Sequence, residues 1–235
     1  MAADLRARLK HSSVLCDGAT GTLLYAKGIC INRCYDELNI SQPDLIRQLH
    51  HEYLQAGAEI IEPNTFGGNS FRLGRHSLES RVREINLAGA NLAREAAKSF
   101  DVWVAGSVGP LGVRIEPLGK TSFEEARAAF REQIAALVEG GVDLLMLETF
   151  GYVEELHQAI MAAREVNPRI PVVAHVTIDE DGNCIDGSTP ESFTPRIARW
   201  FADVIGCNCS VGAVAMLDVC ERVRGLTSLP LGAQP

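Results

Sequence analysis

Short apolar runs alternate along the chain with longer amphipathic segments, and the alternation repeats six times. Each run is rich in Val, Ile and Leu on both faces, which is typical of strands buried in a parallel sheet. The predicted strands are Val14–Cys16, Glu59–Pro63, Val102–Ser107, Asp143–Glu148, Pro171–Thr177 and Asp203–Cys207. The predicted helices are Pro43–Ala56, Leu78–Ser99, Ser122–Glu139, Val153–Val166, Pro190–Trp200 and Val211–Arg224.

Local signals mark the ends of several predicted helices. Ser41 stands two residues before Pro43, which predicts an N-cap, and Ser122 with Glu125 has the spacing of a capping box. Glycines such as Gly57 and Gly225 stand where helices are expected to end.

Alternation of strands and helices predicts βαβ units and therefore a parallel sheet. A doubly wound open sheet and a closed barrel both have this pattern. Every strand here ends in a polar or glycine-rich segment, which favours an α/β fold of the (β/α)8 TIM-barrel type. The six units are followed only by the start of a seventh strand, Ser228–Pro235, so we expect a barrel truncated after about six βα units. Since no Pro- or Ser-rich linker divides the chain, we expect one domain over residues 1–235, incomplete at its C-terminal end.

Composition narrows the class of protein. Hydrophobic residues make up 46% and charged residues 22% of the chain, as in globular domains with a large core. A formal net charge of -8, with no basic stripe, argues against nucleic-acid binding. No apolar segment approaches the roughly 18 residues of a membrane helix, and no signal peptide is recognisable, so we expect a cytoplasmic protein that does not enter a membrane. The 7 cysteines, an odd number, indicate reduced thiols rather than a disulfide framework.

The segments at the strand ends carry groups that can converge on one site. Asp17 offers a carboxylate, and the small residues Gly18 and Ala19 leave backbone amides free for a carboxylate or phosphate. Asn64 and Thr65 can hydrogen-bond to a ligand at the second strand end. Each of these segments also has a purely structural interpretation as a tight turn or a helix cap.

Glu148 ends an apolar strand, where a carboxylate is costly unless it is paired or faces a cleft. That position suits an ammonium group. A helix N-terminal acid is the alternative interpretation. His175, on the next predicted strand, is expected to be a satisfied core or rim histidine rather than a base.

Two cysteines stand at the end of the sixth strand, in Gly206-Cys207-Asn208-Cys209-Ser210. Strand alternation predicts that Cys207 and Cys209 face the same way, with Cys207 deeper and Cys209 at the mouth of the barrel. Cys207 is expected to be packing, whereas Cys209 is the better candidate for a metal ligand. The remaining five are expected to be inert or too isolated for a metal site, namely Cys16, Cys30, Cys34, Cys184 and Cys220.

Taken together, five strand-end motifs resemble the homocysteine S-methyltransferase family, which includes the homocysteine-binding module of methionine synthase and betaine–homocysteine methyltransferase. The motifs, in the order of the family, are Asp17–Thr22, Glu62–Phe66, Gly106–Pro110, Leu147–Phe150 and Gly206–Cys209. The stretch Ile31–Asn39 most resembles bacterial members in which this module is fused to a downstream methylenetetrahydrofolate reductase domain.

The resemblance implies a (β/α)8 barrel that binds Zn²⁺ at its mouth and transfers a methyl group to the thiol of homocysteine, giving methionine. It implies catalytic roles for Cys209 and Glu148, with Cys209 as one of three zinc thiolates. The adjacent cysteine pair that supplies the other two in the family is absent from this sequence. The implied homocysteine-binding residues, together with those indicated by their position, are Asp17, Gly18, Ala19, Asn64, Thr65, Glu148 and Asn208.

The sequence leaves the methyl donor open among methylfolate acting through a cobalamin, S-methylmethionine and betaine. It also leaves two other interpretations open. One is a metal-free barrel enzyme that binds a phosphate or pterin at the first and third strand ends. The other is a non-catalytic fragment that acts as a binding module. Substitution of Cys209 by Ser separates the metal-free enzyme from the zinc hypothesis, because only the zinc hypothesis predicts a loss of activity. A non-catalytic fragment is expected to be unstable or to aggregate alone, which a thermal melt would show.

Overall fold

Six parallel strands form one sheet in the computed structural model, which describes residues 4–235, and each strand pairs with the next along the chain. The strands are β1 (Ile60–Ile61), β2 (Trp103–Val108), β3 (Leu144–Phe150), β4 (Val172–Val176), β5 (Val204–Asn208) and β6 (Leu231–Gln234). An isolated parallel bridge pairs Cys16 with Ile60, so the segment before Asp17 lies beside β1 at the edge of the sheet. The expected βα alternation and parallel sheet are therefore confirmed.

Helices precede β1 and connect every pair of successive strands, which is why neighbouring strands run parallel. In chain order they are α1 (Leu5–Arg8), α2 (Thr20–Ala26), α3 (Leu38–Ser41), α4 (Pro43–Gln55), α5 (Ser70–Gly74), α6 (Val82–Ala97), α7 (Phe123–Glu139), α8 (Val153–Val166), α9 (Pro190–Arg199) and α10 (Ala213–Arg224).

The sheet curls until its first and last strands approach each other. Gln234 Nε2, in β6, donates a hydrogen bond of 3.0 Å to Oε1 of Glu62, just after β1. Strands lie about 4.8 Å apart, so β1 and β6 would be separated by about 24 Å in a flat sheet of this order. This contact therefore requires barrel-like curvature, and it brings the strand ends to a common mouth.

Side chains alternate along the strands into two apolar layers. The larger layer lies between the sheet and the helices and includes Phe130, Phe150 and Ile205. The smaller layer fills the concave inner side and includes Trp103 and Met146. Burial on both faces explains why the strands are continuous apolar runs in the sequence.

The predicted capping box is confirmed at the start of α7. The Ser122 hydroxyl accepts from the Glu125 N–H, and the Glu125 carboxylate accepts from the Ser122 N–H. The predicted N-cap at Ser41 is wrong, because Ser41 is the last residue of α3 and its hydroxyl donates to Glu37 at 2.9 Å. Gln42 takes the cap position of α4 without a side-chain bond.

Several predicted boundaries also change. The first predicted strand, Val14–Cys16, is reduced to the single bridge at Cys16, and the second shortens to Ile60–Ile61. The predicted helix Leu78–Ser99 divides into a 3₁₀ turn over Glu79–Arg81 followed by α6. The apolar pattern alone does not give the length of a strand, because that length depends on how many residues of the partner strand it pairs with.

The prediction that Cys207 and Cys209 face the same way is wrong. Cys207 lies in β5 and is buried in the helix-facing layer, against which Cys220 of α10 also packs. Cys209 follows the strand with a left-handed backbone (φ 59°), which breaks the alternation and leaves its thiol exposed at the mouth. The expectation that Cys207 is packing is confirmed.

Candidate functional site

A cavity of about 900 Å³ opens at the mouth where the strands end. All of the sequence-predicted site residues line it, namely Asp17, Gly18, Ala19, Asn64, Thr65, Glu148, Asn208 and Cys209. Residues that are far apart in the sequence meet here because the carboxyl ends of parallel strands share one end of the curled sheet.

The first strand end supplies a carboxylate held by its neighbour. Asp17 Oδ2 accepts from the backbone N–H of Glu62 at 2.8 Å, which ties the segment after Cys16 to the end of β1. Gly18 lies in the irregular segment that follows, and Ala19 has an extended backbone directly before α2. A Cβ at Gly18 would lie 2.9 Å from the Tyr53 hydroxyl, so the close approach of this ring accounts for the glycine.

Glu148, on β3, is fixed from two directions. The Ser107 hydroxyl donates to Glu148 Oε1 at 2.5 Å, and Asn208 Nδ2 lies 3.3 Å from Glu148 Oε2. The alternative interpretation of Glu148 as a helix N-terminal acid is wrong, because it lies within β3 and α8 begins only at Val153.

Asn208 links the ends of β3 and β5. Its Oδ1 accepts from the Thr149 N–H at 2.7 Å, and its Nδ2 donates to Thr149 Oγ1 at 2.8 Å. Thr149 has a left-handed backbone (φ 64°) and interrupts the register of β3 with β4. Left-handed non-glycine residues are costly and persist where the surroundings hold them, as Asn208 does here.

Cys209 stands beside this strained pair, with its Sγ 3.8 Å from Thr149 Oγ1 and 3.4 Å from Asn208 Nδ2. Desolvation beside the cavity raises the pKa of the Cys209 thiol, and the Thr149 hydroxyl opposes this effect. The thiol therefore remains protonated at neutral pH unless a bound cation lowers its pKa.

Three carboxyl groups share the floor of the cavity. Burial raises the pKa of Asp17 to about 8, against the opposing effect of the Glu62 N–H. Burial, followed by the charges of Glu148 and Asp17, raises the pKa of Glu62 well above its ordinary value. Burial also raises the pKa of Glu148. None of the three forms an ion pair with a cationic side chain of residues 4–235.

Asn64 and Thr65 are buried and hydrogen-bonded within the protein. Asn64 Nδ2 donates to the Tyr35 carbonyl at 2.6 Å, and the Thr65 hydroxyl donates to the Ser107 carbonyl at 2.8 Å. Their donors therefore brace the second and third strand ends.

Sequence reasoning missed four residues that complete the site, which are Glu62, Ser107, Thr149 and Gln234. The first three lie inside the strand-end motifs, so their position at a strand end could have identified them as site residues. No sequence signal identified Gln234, because its contact with Glu62 joins residues 172 positions apart.

The expectation that His175 lies in the core or at the rim is confirmed, whereas its ring does not have the hydrogen bonds of a satisfied histidine. His175 is buried on the inner side of β4 and lines the cavity. Neither of its ring nitrogens makes a hydrogen bond of ordinary geometry within residues 4–235. Burial lowers the pKa of His175 to about 4, and the neighbouring Gln234 side chain acts in the opposite direction.

The described residues do not make a complete metal centre. Within residues 4–235, no group of three or more His, Cys, Asp or Glu side chains is arranged to hold a metal ion. Cys209 is a single thiol at the mouth, whereas catalytic zinc sites use three protein ligands. Separately, in the same part of the chain, no helix combines the length and apolarity needed to cross a bilayer.

Comparison with known proteins places these features in a family. The family model described as homocysteine S-methyltransferase matches residues 14–235. Methionine synthase from Mycobacterium tuberculosis (strain ATCC 25618 / H37Rv) is 30% identical over 247 aligned positions, covering 99% of this chain. Methionine synthase from Mycobacterium leprae (strain TN) is 28% identical over the same share of the chain. The chain spans only 21% and 20% of the length of these two relatives.

A solved structure shows the same architecture. The metallated form of the homocysteine methyltransferase MmuM from Escherichia coli superposes with a TM-score of 0.84 at 25% identity, covering 97% of this chain and 85% of that one. The curled parallel sheet is thus a partial TIM-type barrel, as expected. From the match over residues 14–235 and the shared fold, the chain belongs to the homocysteine S-methyltransferase family.

Proposed function

We propose that the protein transfers a methyl group to the thiol of homocysteine, giving methionine. One observation carries this proposal: a single carboxamide nitrogen, Asn208 Nδ2, lies 3.3 Å from a carboxyl oxygen of Glu148 and 3.4 Å from the sulfur of Cys209. An acidic pocket therefore adjoins a thiol. Homocysteine presents an ammonium and a thiol separated by a short carbon chain, so its two ends suit the carboxyl side and the thiol side of this pocket.

The site supports a specific orientation of the substrate. The ammonium group faces Glu148 and Asp17, which have no cationic partner within the described residues. The backbone amides around Gly18 and Ala19 receive the carboxylate. The substrate sulfur then lies near Cys209, where it attacks the donor methyl group; a sulfur–carbon bond forms, and the electron pair of the broken bond leaves with the donor.

Cys209 is proposed as one ligand of a zinc ion whose further ligands come from outside residues 4–235. When bound, zinc lowers the pKa of a coordinated thiol, so that the thiolate forms at neutral pH. The metallated form of MmuM is consistent with a metal in this family. The chain's own residues contribute one thiol, and its raised pKa agrees with a group that needs a cation to ionise.

The organisation of the chain is also a proposal. Residues 1–235 act as one homocysteine-binding domain, supported by the single curled sheet, within a protein that carries a further domain such as a methylenetetrahydrofolate reductase. The 7 cysteines are all free, which supports a reducing compartment such as the cytoplasm.

The test measures methionine formed by the natural protein from homocysteine with each candidate donor in turn. Cys209→Ser should abolish turnover, and chelation should do the same. Cys30→Ser is the matched control, because Cys30 is an exposed thiol outside the cavity. Full activity in Cys209→Ser would instead favour the metal-free interpretation.

A further inference from the structure

Glu62 is a buried carboxyl group on the floor of the cavity that the roles proposed above leave unused. Burial raises the pKa of Glu62, the Glu148 carboxyl is close enough to raise it further, and Gln234 Nε2 donates to Glu62 Oε1 at 3.0 Å. A hydrogen bond between two carboxyl groups requires a proton on one of them, because ionised carboxylates only accept. Burial and the neighbouring charges therefore favour one proton on the Glu62–Glu148 pair before a cation binds.

The groups around this pair are acids or neutral hydrogen-bonding groups, and none of those described is a cation. Asp17 and Cys16 face it from the first strand end, and the charge of Glu62 is the largest electrostatic contribution that raises the pKa of the Cys16 thiol. From the last strand, Gln234 offers an Oε1 that is buried and without a hydrogen-bond partner in residues 4–235. No lysine or arginine of that range forms an ion pair with Asp17, Glu62 or Glu148.

A second observation points to a ligand at the same place. His175 is 1% exposed and lines the same cavity; neither ring nitrogen makes a hydrogen bond of ordinary geometry within the described residues, although the Gln234 side chain is near enough to raise its pKa. Its ring packs so closely against Gly232 that a Cβ there would overlap it, which fixes the ring beside Gln234. Buried polar groups are normally hydrogen-bonded, and the described residues bring only neutral donors to the carboxyls of this floor, so it lacks positive charge.

A primary ammonium is such a partner, since it carries three donors and no acceptor. We propose that Glu62, positioned by Gln234, is a substrate-binding residue that receives the homocysteine ammonium together with Glu148, and that this binding releases the proton shared by the two carboxyls to solvent. The inference rests on the proposed function and extends it by one substrate-binding residue, Glu62, and by one proton released on binding. On this inference, the site selects substrates that carry a free amino group.

The experiment compares homocysteine with 4-mercaptobutanoic acid, which is the same molecule without its amino group. Binding is measured by calorimetry at pH 7 in buffers of different ionisation enthalpy, which counts the protons released. Both ligands lose the same thiol proton on any bound metal. The wild-type protein should therefore release more protons with homocysteine than with 4-mercaptobutanoic acid, and Glu62→Gln should reduce this difference by about one, because Asp17 still loses its own proton.

Affinity provides a second readout. Glu62→Gln should bind homocysteine about 10- to 100-fold more weakly, as expected for one lost hydrogen bond to a charged group, and should bind 4-mercaptobutanoic acid unchanged. Gln234→Leu, which removes only the positioning contact, should weaken homocysteine binding in the same direction by a smaller factor. A structural defect would weaken both ligands equally.

The outcomes separate the two proposals. Equal proton counts for the two ligands in the wild-type protein, or unchanged homocysteine affinity in Glu62→Gln, would overturn the role of Glu62 and leave methyl transfer standing. Failure of the zinc-loaded wild-type protein to bind homocysteine at all would overturn the proposed function itself. The wild-type proton count does not depend on whether any variant folds.

Discussion

Replacement of Asn208 by Ala tests whether this side chain holds the mouth of the barrel together. Asn208 is 2% exposed and makes two close hydrogen bonds to Thr149, at 2.7 and 2.8 Å. The substitution leaves the Thr149 N–H without a partner, at a cost of about 1–3 kcal/mol, and the lost donor from Nδ2 adds about 1 kcal/mol. We therefore expect the free energy of unfolding to fall by about 2–4 kcal/mol, within a total of about 5–15 kcal/mol for a typical domain.

The measurement is urea unfolding of the purified protein, followed by circular dichroism and tryptophan fluorescence. Asn167→Ala is the matched control, because the Asn167 side chain makes one solvent-exposed bond of 3.1 Å to the Arg169 N–H. That variant should lose less than about 1 kcal/mol. A loss below about 1 kcal/mol for Asn208→Ala, with an unchanged dependence on urea, would refute the idea that Asn208 stabilises the left-handed turn at Thr149.

Three further predictions concern single side chains. Cys207→Ser should lower the free energy of unfolding by about 1–3 kcal/mol, because it buries a hydroxyl in the helix-facing layer. Cys209→Ser should leave the melting temperature nearly unchanged, because Cys209 is exposed at the mouth. Equal effects of the two substitutions on stability would contradict the buried position of Cys207 and the exposed position of Cys209. Burial lowers the pKa of His50 to about 4, so the unfolded chain binds more protons between pH 4 and pH 6.5 and stability falls as the pH falls through this window. His50→Leu should remove up to about 3 kcal/mol of that loss, and parallel stability–pH curves for the two proteins would rule this out. Burial raises the pKa of Asp17 to about 8, so Asp17 reduces stability as the pH rises from about 4 to about 8. Asp17→Asn should accordingly be more stable than the wild type at pH 8 while its KM for homocysteine increases, and a loss of stability there would show that the burial argument is wrong.

The order of elements was readable from the chain, because it depends on local patterns. Val153–Val166 forms the predicted helix with its predicted bounds, and the capping box at Ser122 has the predicted geometry. Continuous apolar runs identified the parallel strands, since such strands are buried on both faces. The motifs at the strand ends also identified the family, because they place chemistry where barrels carry their sites.

The sequence could not determine how the site closes. Glu62 and Gln234 are 172 residues apart, and only the curvature of the sheet brings them within 3.0 Å. Strand alternation wrongly predicted that Cys207 and Cys209 face the same way, because the left-handed backbone at Cys209 breaks the alternation and only Cys209 reaches the cavity. The identity of each residue and the spacing of the apolar positions are properties of the sequence. The burial of a side chain, its protonation and its direction depend on residues that become its neighbours only when the chain folds.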